Sequence, residues 1–358
     1  MSKVEKASRS CVGLINRPLP IQVFAYNFSR RKHAFLRRFI GEARVRFVNR
    51  VEQVPPGATL LVWGSSPVPA GLAQDVRQVR VEDGFLRSVG LGADLVRPIS
   101  WVLDSRGIYY NATRPSDLEH LLLTEEFTPE LLERASLLRR RIVEYGLTKY
   151  NVGAEGWERP ANLARVILVP GQVETDASIR FGTPGIRTNM GLLRAVRDSN
   201  ADAYVVYKPH PDVVAGLRAK GQREDEALCW CDEVVTDVAM GDMLPMVDEV
   251  HVLTSLTGFE ALLRGKTVVC YGQPFYAGWG LTRDIMPLDR RDRSRSLDEL
   301  IAGVLILYPR YLSRMTGRLT TPEQALDELL AWRNQSGYGV PLWRKAFRVV
   351  LRHVVGVR

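Results

Sequence analysis

Residues Tyr204 to Val214 read YVVYKPHPDVV. A short apolar run of β-favouring residues stops at a turn that carries Lys208, His210 and Asp212. Alternate residues of an extended segment share a face, so Lys208 and His210 converge on one side, where they can meet one anion. Pro209 and Pro211 hold the imidazole between them. Further on, VHVLT (Val250–Thr254) opens into Ser255-Leu256-Thr257-Gly258 and then FEALLRGK (Phe259–Lys266), a strand running into a helix. Before both, RVILVPG (Arg165–Gly171) ends in Gly171-Gln172-Val173-Glu174-Thr175-Asp176. Three apolar strands with helical patterns between them predict a parallel, doubly wound sheet, whose ligands sit beyond the carboxyl ends of its strands. All three polar motifs lie at such ends.

The alternation extends in both directions. IQVFAYNF (Ile21–Phe28), VRFV (Val45–Val48), ATLLVWG (Ala58–Gly64) and VRQVRV (Val76–Val81) read as strands, with HAFLRRFI (His33–Ile40) helical. Helices are expected over Arg114–Leu123 and Pro129–Tyr145, the second started by Thr128-Pro129-Glu130. Residues 146–162 lack periodicity and mark a boundary. After it come strands at Arg165–Gly171, Ala203–Lys208, Cys231–Asp237, Glu249–Ser255 and Thr267–Gly272, with helices over Met190–Arg197, Met240–Val247 and Gly258–Arg264. The expected organisation is a disordered segment 1–19, a Rossmann-like unit 20–155 on the acceptor side, a Rossmann-like donor unit 156–332 with a closing helix, and a basic amphipathic tail 333–358.

The 358 residues, 46% hydrophobic and 25% charged, suit about two globular domains. No apolar run reaches the ~20 residues of a spanning helix, and no secretion signal is expected at the N-terminus. The four cysteines form no spaced framework, so neither zinc nor disulfides are expected and a reducing cytoplasm fits. The net charge of +9 is uneven. Arg30, Arg31, Lys32, Arg37, Arg38, Arg44, Arg46 and Arg50 crowd one segment against Glu42, and no acidic residue follows Glu328. Such fields attract anionic partners; no nucleic-acid motif accompanies them, so nucleic acid is not expected. In PLWRKAFRVVLRHVVGVR (Pro341–Arg358), Trp343, Phe347, Val350, Leu351 and Val354 share a helical face flanked by Arg344, Lys345, Arg348 and Arg352. That pattern fits a helix on anionic lipid, or one packed on the protein's own core.

The strand ends supply the candidate chemistry. Lys208, His210 and Pro211, with Ser255, Thr257 and Gly258 at a helix start, form a seat for one phosphate. Glu260 in that helix either complements the dipole or receives a ribose diol. Glu174 and Asp176 are a carboxylate pair suited to divided nucleophile and acid/base roles, or a solvated turn. Glu82-Asp83-Gly84-Phe85-Leu86-Arg87 places mixed charge at a strand end of the first unit; Arg87 either grips a substrate carboxylate or pairs internally. Tyr276 and Trp279, in an aromatic, glycine-rich loop, either stack on a sugar or pack between domains. A phosphate seat plus carboxylates, with no Asp-x-Asp motif, points to sugar transfer from a nucleotide monophosphate without metal.

These segments resemble the capsule-polysaccharide Kdo transferase family of the KpsC type. The resemblance is carried by VEDGFLRSVGLGADLVRPISWVLDSRGIYYNATRPSDLEHLL (Val81–Leu122), VPGQVETDASIRFG (Val169–Gly182), YKPHPD (Tyr207–Asp212), LTSLTGFEALLRGK (Leu253–Lys266) and YGQPFYAGWGLT (Tyr271–Thr282). LYPRY (Leu307–Tyr311) and TPEQALDELL (Thr321–Leu330) complete it. It implies a GT-B fold of two Rossmann-like domains facing across a cleft, CMP-β-Kdo as donor, and transfer with retention to a glycan or a phosphatidylglycerol-linked acceptor on the cytoplasmic face of the inner membrane. Carried over, Asp176 is the nucleophile, Glu174 or Glu82 the acid/base, and Asp83 and Arg87 lie near sugar and acceptor. Gln172 orients the donor, Lys208, His210 and Ser255 hold its phosphate, and Glu260 holds the ribose. The sequence departs from the family pattern in offering room for one transferase module where two are usual, and in having Thr175 where an acidic residue is expected. A sialyltransferase-like enzyme on another CMP-sugar, or a non-catalytic glycan-binding homologue, is the competing reading.

Overall fold

The computed structural model describes residues 19–68, 70–88, 98–149 and 156–336, with residues 335 and 336 described by their backbone only. The expected disordered start and the amphipathic helix of the basic tail lie outside these residues, but for Leu19 and the few residues following Trp332.

Two sheets organise the chain. The first runs β13-β12-β5-β4-β3-β1-β2. Its strands β1 (Gln22–Tyr26), β2 (Arg44–Val48), β3 (Thr59–Trp63) and β4 (Arg77–Asp83) are parallel. Alternate residues of β3 feed opposite layers: Leu61 joins Val23, Leu36 and Phe39, whereas Leu60 and Val62 join Phe24, Val54 and Val76. Helix α1 (Arg30–Phe39) closes one of these layers with Leu36 and Phe39. Beyond β4 the sheet reverses. β5 (Ser100–Asp104) is antiparallel to β4, and the late strands β12 (Pro309–Leu312) and β13 (Leu319–Thr320) continue in alternation.

That reversal corrects the expected domain partition. The segment assigned to the end of the donor unit returns to the first sheet, where Tyr311 and Leu312 are buried and the Leu312 N–H donates to the Ile99 carbonyl (2.8 Å). β5 would otherwise leave its outer row of backbone groups unpaired, and β12 satisfies it.

Helices α2 (Asp117–Thr124) and α3 (Pro129–Glu144) follow the first five strands. α3 starts as expected: Thr128 accepts the Leu131 N–H, Pro129 opens the first turn, and Leu131, Ala135, Leu138 and Ile142 form its buried stripe. The second sheet is parallel throughout, in the order β8-β7-β6-β9-β10-β11. Its strands are β6 (Val166–Pro170), β7 (Tyr204–Lys208), β8 (Glu233–Val234), β9 (Glu249–Val252), β10 (Thr267–Cys270) and β11 (Arg283–Asp284). Counted along the chain this is the order 3-2-1-4-5-6, which reverses between β6 and β9 and opens a crevice there. β6 is buried along its whole length; Val166 and Leu168 enter one core, Ile167 and Val169 the other. The helices are α4 (Ala177–Gly182), α5 (Asn189–Ser199), α6 (Pro211–Val214), α7 (Met240–Met243) and α8 (Leu256–Leu263). α9 (Leu297–Ile301), prolonged by a π-helical stretch to Leu307, packs on α2 and α3 and leads into β12. α10 (Pro322–Ser336) follows β13, and its Glu323 pairs with Arg134 of α3. Among the described residues no helix is long and apolar enough to cross a membrane.

Candidate active site

A cleft of about 1020 Å³ lies between the two sheets, lined by the carboxyl ends of β4 on one side and of β6, β7 and β9 on the other. It is large enough for a nucleotide-sugar. Gln172 stands at the point of strand reversal and joins the loops after β6 and β9. Its Nε2 donates to Thr254 Oγ1 (3.1 Å), and its Oε1 accepts the Thr254 N–H (2.9 Å). Asn189 fixes the Gln172 backbone by donating to its carbonyl and accepting from its N–H, each at 2.9 Å. Gly171 allows this approach, since a Cβ there would lie 2.6 Å from the Tyr207 hydroxyl and 3.2 Å from the His210 nitrogen.

His210 precedes the single turn of α6. Its Nδ1 accepts the Asp212 N–H at 3.1 Å, so the ring proton is on Nε2. Burial, followed by the charges of Lys149, Arg218 and Lys208, pushes its pKa down to about 4. At neutral pH the ring is therefore an uncharged donor. Lys208, its pKa lowered to about 8 by burial, donates to the Thr236 carbonyl at 3.1 Å. Pro211 lines the same wall. Ser255 caps α8 by accepting the Thr257 N–H (3.2 Å), and both residues face the cleft.

The carboxylate pair separates. Asp176 ends the loop at the start of α4 yet makes no capping hydrogen bond; it lines the cleft and pairs with Arg218 at 2.5 Å. Glu174 turns away from the lining, and its two oxygens accept the N–H groups of Asn189 (2.7 Å) and Gln222 (2.9 Å). A carboxylate spent on backbone donors fixes the loop, which corrects the expectation that Glu174 serves as acid/base.

On the opposite wall, half-buried Glu82 accepts the Asp83 N–H (2.9 Å) and lies 3.4 Å from the Tyr110 hydroxyl. Burial, then the neighbouring Asp83 charge, raises its pKa to about 7. Arg87 resolves its alternatives by pairing internally: Nε donates to Asp83 (2.7 Å) and a terminal nitrogen to Ser88 (3.0 Å). Trp101 donates to the other Asp83 oxygen. Both Asp83 and Arg87 line the cleft, but as a braced pair.

Glu260 reaches the cleft from α8 while accepting the Lys149 N–H at 2.7 Å; burial lifts its pKa to about 7. Tyr276 and Trp279 are fully buried, contrary to sugar stacking. The Tyr276 hydroxyl donates to the Ser255 carbonyl and the Trp279 indole to the Phe275 carbonyl. Gly258 does not line the cleft; it gives Tyr276 room against α8. Lys32, Lys149, Arg218 and Thr254 also line the cleft, though none is among the candidate site residues read from the sequence; Lys32 stands there only in the basic cluster. Arg218 and Lys149 lie in segments without periodicity. Lys32 had a signal, its spacing from Phe35, Leu36 and Phe39.

A family model described as capsule polysaccharide biosynthesis protein matches residues 68–144 and 128–311. The chain belongs to that family. The capsule polysaccharide modification protein LipA of Neisseria meningitidis serogroup A is 41% identical over 342 residues, covering 93% of this chain and 49% of LipA. The lipopolysaccharide-processing protein LpsZ of Rhizobium meliloti is 41% identical over 330 residues, covering 87% of this chain and 73% of LpsZ. The chain thus spans about half the length of LipA. Two solved structures from Thermosulfurimonas dismutans KpsC are similar. The β-Kdo 2,7 transferase is 42% identical with a TM-score of 0.74, covering 87% of this chain and 99% of that one. The β-Kdo 2,4 transferase is 33% identical with a TM-score of 0.75, covering 88% and 99%. This member of the capsule biosynthesis family has the two-unit GT-B-like architecture, with the cleft between its sheets.

Proposed function

We propose that the chain is a retaining β-Kdo transferase that uses CMP-β-Kdo as donor and a Kdo-terminated or lipid-phosphate-linked glycan as acceptor, working without a metal ion. The observation that carries this reading is the pairing of a phosphate seat at the strand reversal with Asp176 in the same cleft, in a chain 42% identical to a β-Kdo transferase. CMP leaves as a monophosphate. Lys208, the His210 Nε2–H and the first turn of α8 can receive its developing charge, which is why no bridging cation is called for. Glu260 would hold the ribose, and Gln172 would keep the two phosphate loops in register.

Asp176 attacks the anomeric carbon as the bond to the CMP phosphate breaks, and the leaving phosphate carries away the electron pair. Arg218 orients the attacking carboxylate. An acceptor hydroxyl then attacks the same carbon, passes its proton to Glu82 and releases Asp176. Two inversions give net retention. With a pKa of about 7, Glu82 can take that proton at neutral pH.

The test is to incubate the protein with CMP-Kdo and a Kdo-terminated lipid acceptor, then read the linkage by NMR and any sugar–enzyme adduct by intact mass. The expected product is β-linked, forms in the presence of EDTA, and does not form from CMP-sialic acid. Asp176→Asn should lower turnover on the order of 10³-fold or more. Wild-type turnover in that variant, or an α-linked product, rules out the double displacement.

A further inference from the structure

Helix α1 carries an apolar stripe of Phe35, Leu36 and Phe39 toward the first sheet, and Lys32 stands on that stripe, four residues before Leu36. Its ammonium is therefore held against the protein, not released to solvent with Arg30 and Arg31. The Nζ lies over the face of Trp63, 2.8 Å from the ring centroid, on the cleft wall shared with Glu82, Asp83 and Trp101. Among the described residues no carboxylate lies within ion-pair distance of it, and its side chain has no hydrogen-bond acceptor. The neighbouring cations differ. Arg87 is braced by Asp83 and Ser88, and Arg80 donates to the carbonyls of Gly64 and Ser66.

A half-buried ammonium that rests on a π face, with the Glu82 and Asp83 charges beyond ion-pair distance, bears a desolvation cost that an oxyanion would offset. Burial lowers the Lys32 pKa to about 8 while Glu82 and Asp83 oppose the shift, so the group is still charged at neutral pH. The location decides what that anion is. Lys32 belongs to the first unit, whereas the phosphate seat of Lys208 and His210 belongs to the second. Resting on the transferase reading above, we infer that Lys32 is the anion-recognition residue of the acceptor subsite, taking the oxyanion of the incoming glycan: a sugar-acid carboxylate or the phosphodiester of its lipid anchor.

The test crosses ligand with variant. Acceptors ending in a free sugar acid and in its methyl ester, each on a phosphodiester or a neutral aglycone, are assayed with wild type, Lys32→Met and Lys32→Arg. Methionine suits the apolar stripe and should preserve the fold. Wild type is expected to lose roughly 10- to 100-fold in kcat/KM when the recognised anion is removed. Lys32→Met shows that loss at the outset and none further on esterification or anchor replacement, whichever group is read. Lys32→Arg recovers part of it. The loss falls on the acceptor's KM, with the donor's KM as internal reference. Equal discrimination by Lys32→Met and wild type overturns the assignment, as does a loss confined to the donor's KM. Should wild type fail to release CMP from CMP-Kdo, the transferase reading fails separately. Titration of the acceptors by Trp63-sensitive fluorescence then decides Lys32 alone, weaker binding in Lys32→Met supporting the subsite and equal binding removing it.

Discussion

A single hydrogen bond, from the Asp212 N–H to Nδ1 of His210, selects the tautomer that offers its proton from Nε2. The low pKa of the ring has a cost in acid. Below its unfolded value of 6.5 the unfolded chain binds a proton that the native ring refuses, so stability falls as pH drops toward about 4. Glu260 works in the opposite sense. Its folded pKa of about 7 exceeds the unfolded value of 4.5, so the native state holds the extra proton and stability falls as pH rises between those values. Glu260→Gln keeps an oxygen for the Lys149 N–H and removes the titration. Denaturation curves at pH 5 and pH 8 should show the variant gaining on wild type by on the order of 3 kcal/mol at the higher pH; a constant difference would sink the assignment. At this scale the sequence reads well where spacing governs. Lys208 and His210 fall on one wall as period-two geometry requires. Glu174 and Asp176 do not, because the chain leaves extended geometry after Val173, turns, and begins α4 at Ala177, so alternation no longer predicts a shared face.

Helix α8 shows how an element, more than any one side chain, shapes the phosphate seat. It starts at Leu256, before the Gly258 expected from hydrophobic pattern, because Ser255 caps it through the Thr257 N–H. Gly258 then serves packing. A Cβ at this position would sit 2.2 Å from the Tyr276 hydroxyl, which anchors the Ser255 carbonyl. Gly258→Ala should therefore push Tyr276 aside and shift the helix start. A destabilisation of about 1–3 kcal/mol is expected, together with weaker CMP binding by calorimetry. Unaltered stability and affinity would show that the slot has slack. The aromatic loop after Tyr271 could not be placed from its residues alone. Tyr, Phe and Trp between glycines suit a sugar platform and an interior wedge equally, and the slot that admits Tyr276 exists once α8 lies beside the loop.

At the scale of the whole molecule, what was legible is the two-sheet plan, since each parallel unit is written in local strand–helix alternation. The return of β12 to β5 was not legible, because that pairing joins residues some two hundred positions apart through backbone contacts that leave no periodic mark. Nor was the clamp that holds the two units together. Glu119 of α2 is 3% exposed and receives Arg290 at 2.5 Å and Arg291 at 3.0 Å, both from the segment after β11. Arg291 also donates to the Pro274 and Ala277 carbonyls, and Arg295 to those of Leu122 and Glu125. The clamp thus ties α2 to the loop that carries the buried aromatics beneath the cleft. Removing the single carboxylate leaves buried Arg291 facing half-exposed Arg290 with no counter-charge between them, and burial on the Arg291 side weakens the screening of their repulsion. Glu119→Gln should cost about 3–5 kcal/mol in chemical denaturation. The half-exposed Arg134–Glu323 pair supplies the contrast, and Arg134→Met should cost no more than about 1 kcal/mol. Equal, small losses from both would mean that water reaches Glu119 and that the units are joined by apolar contact alone.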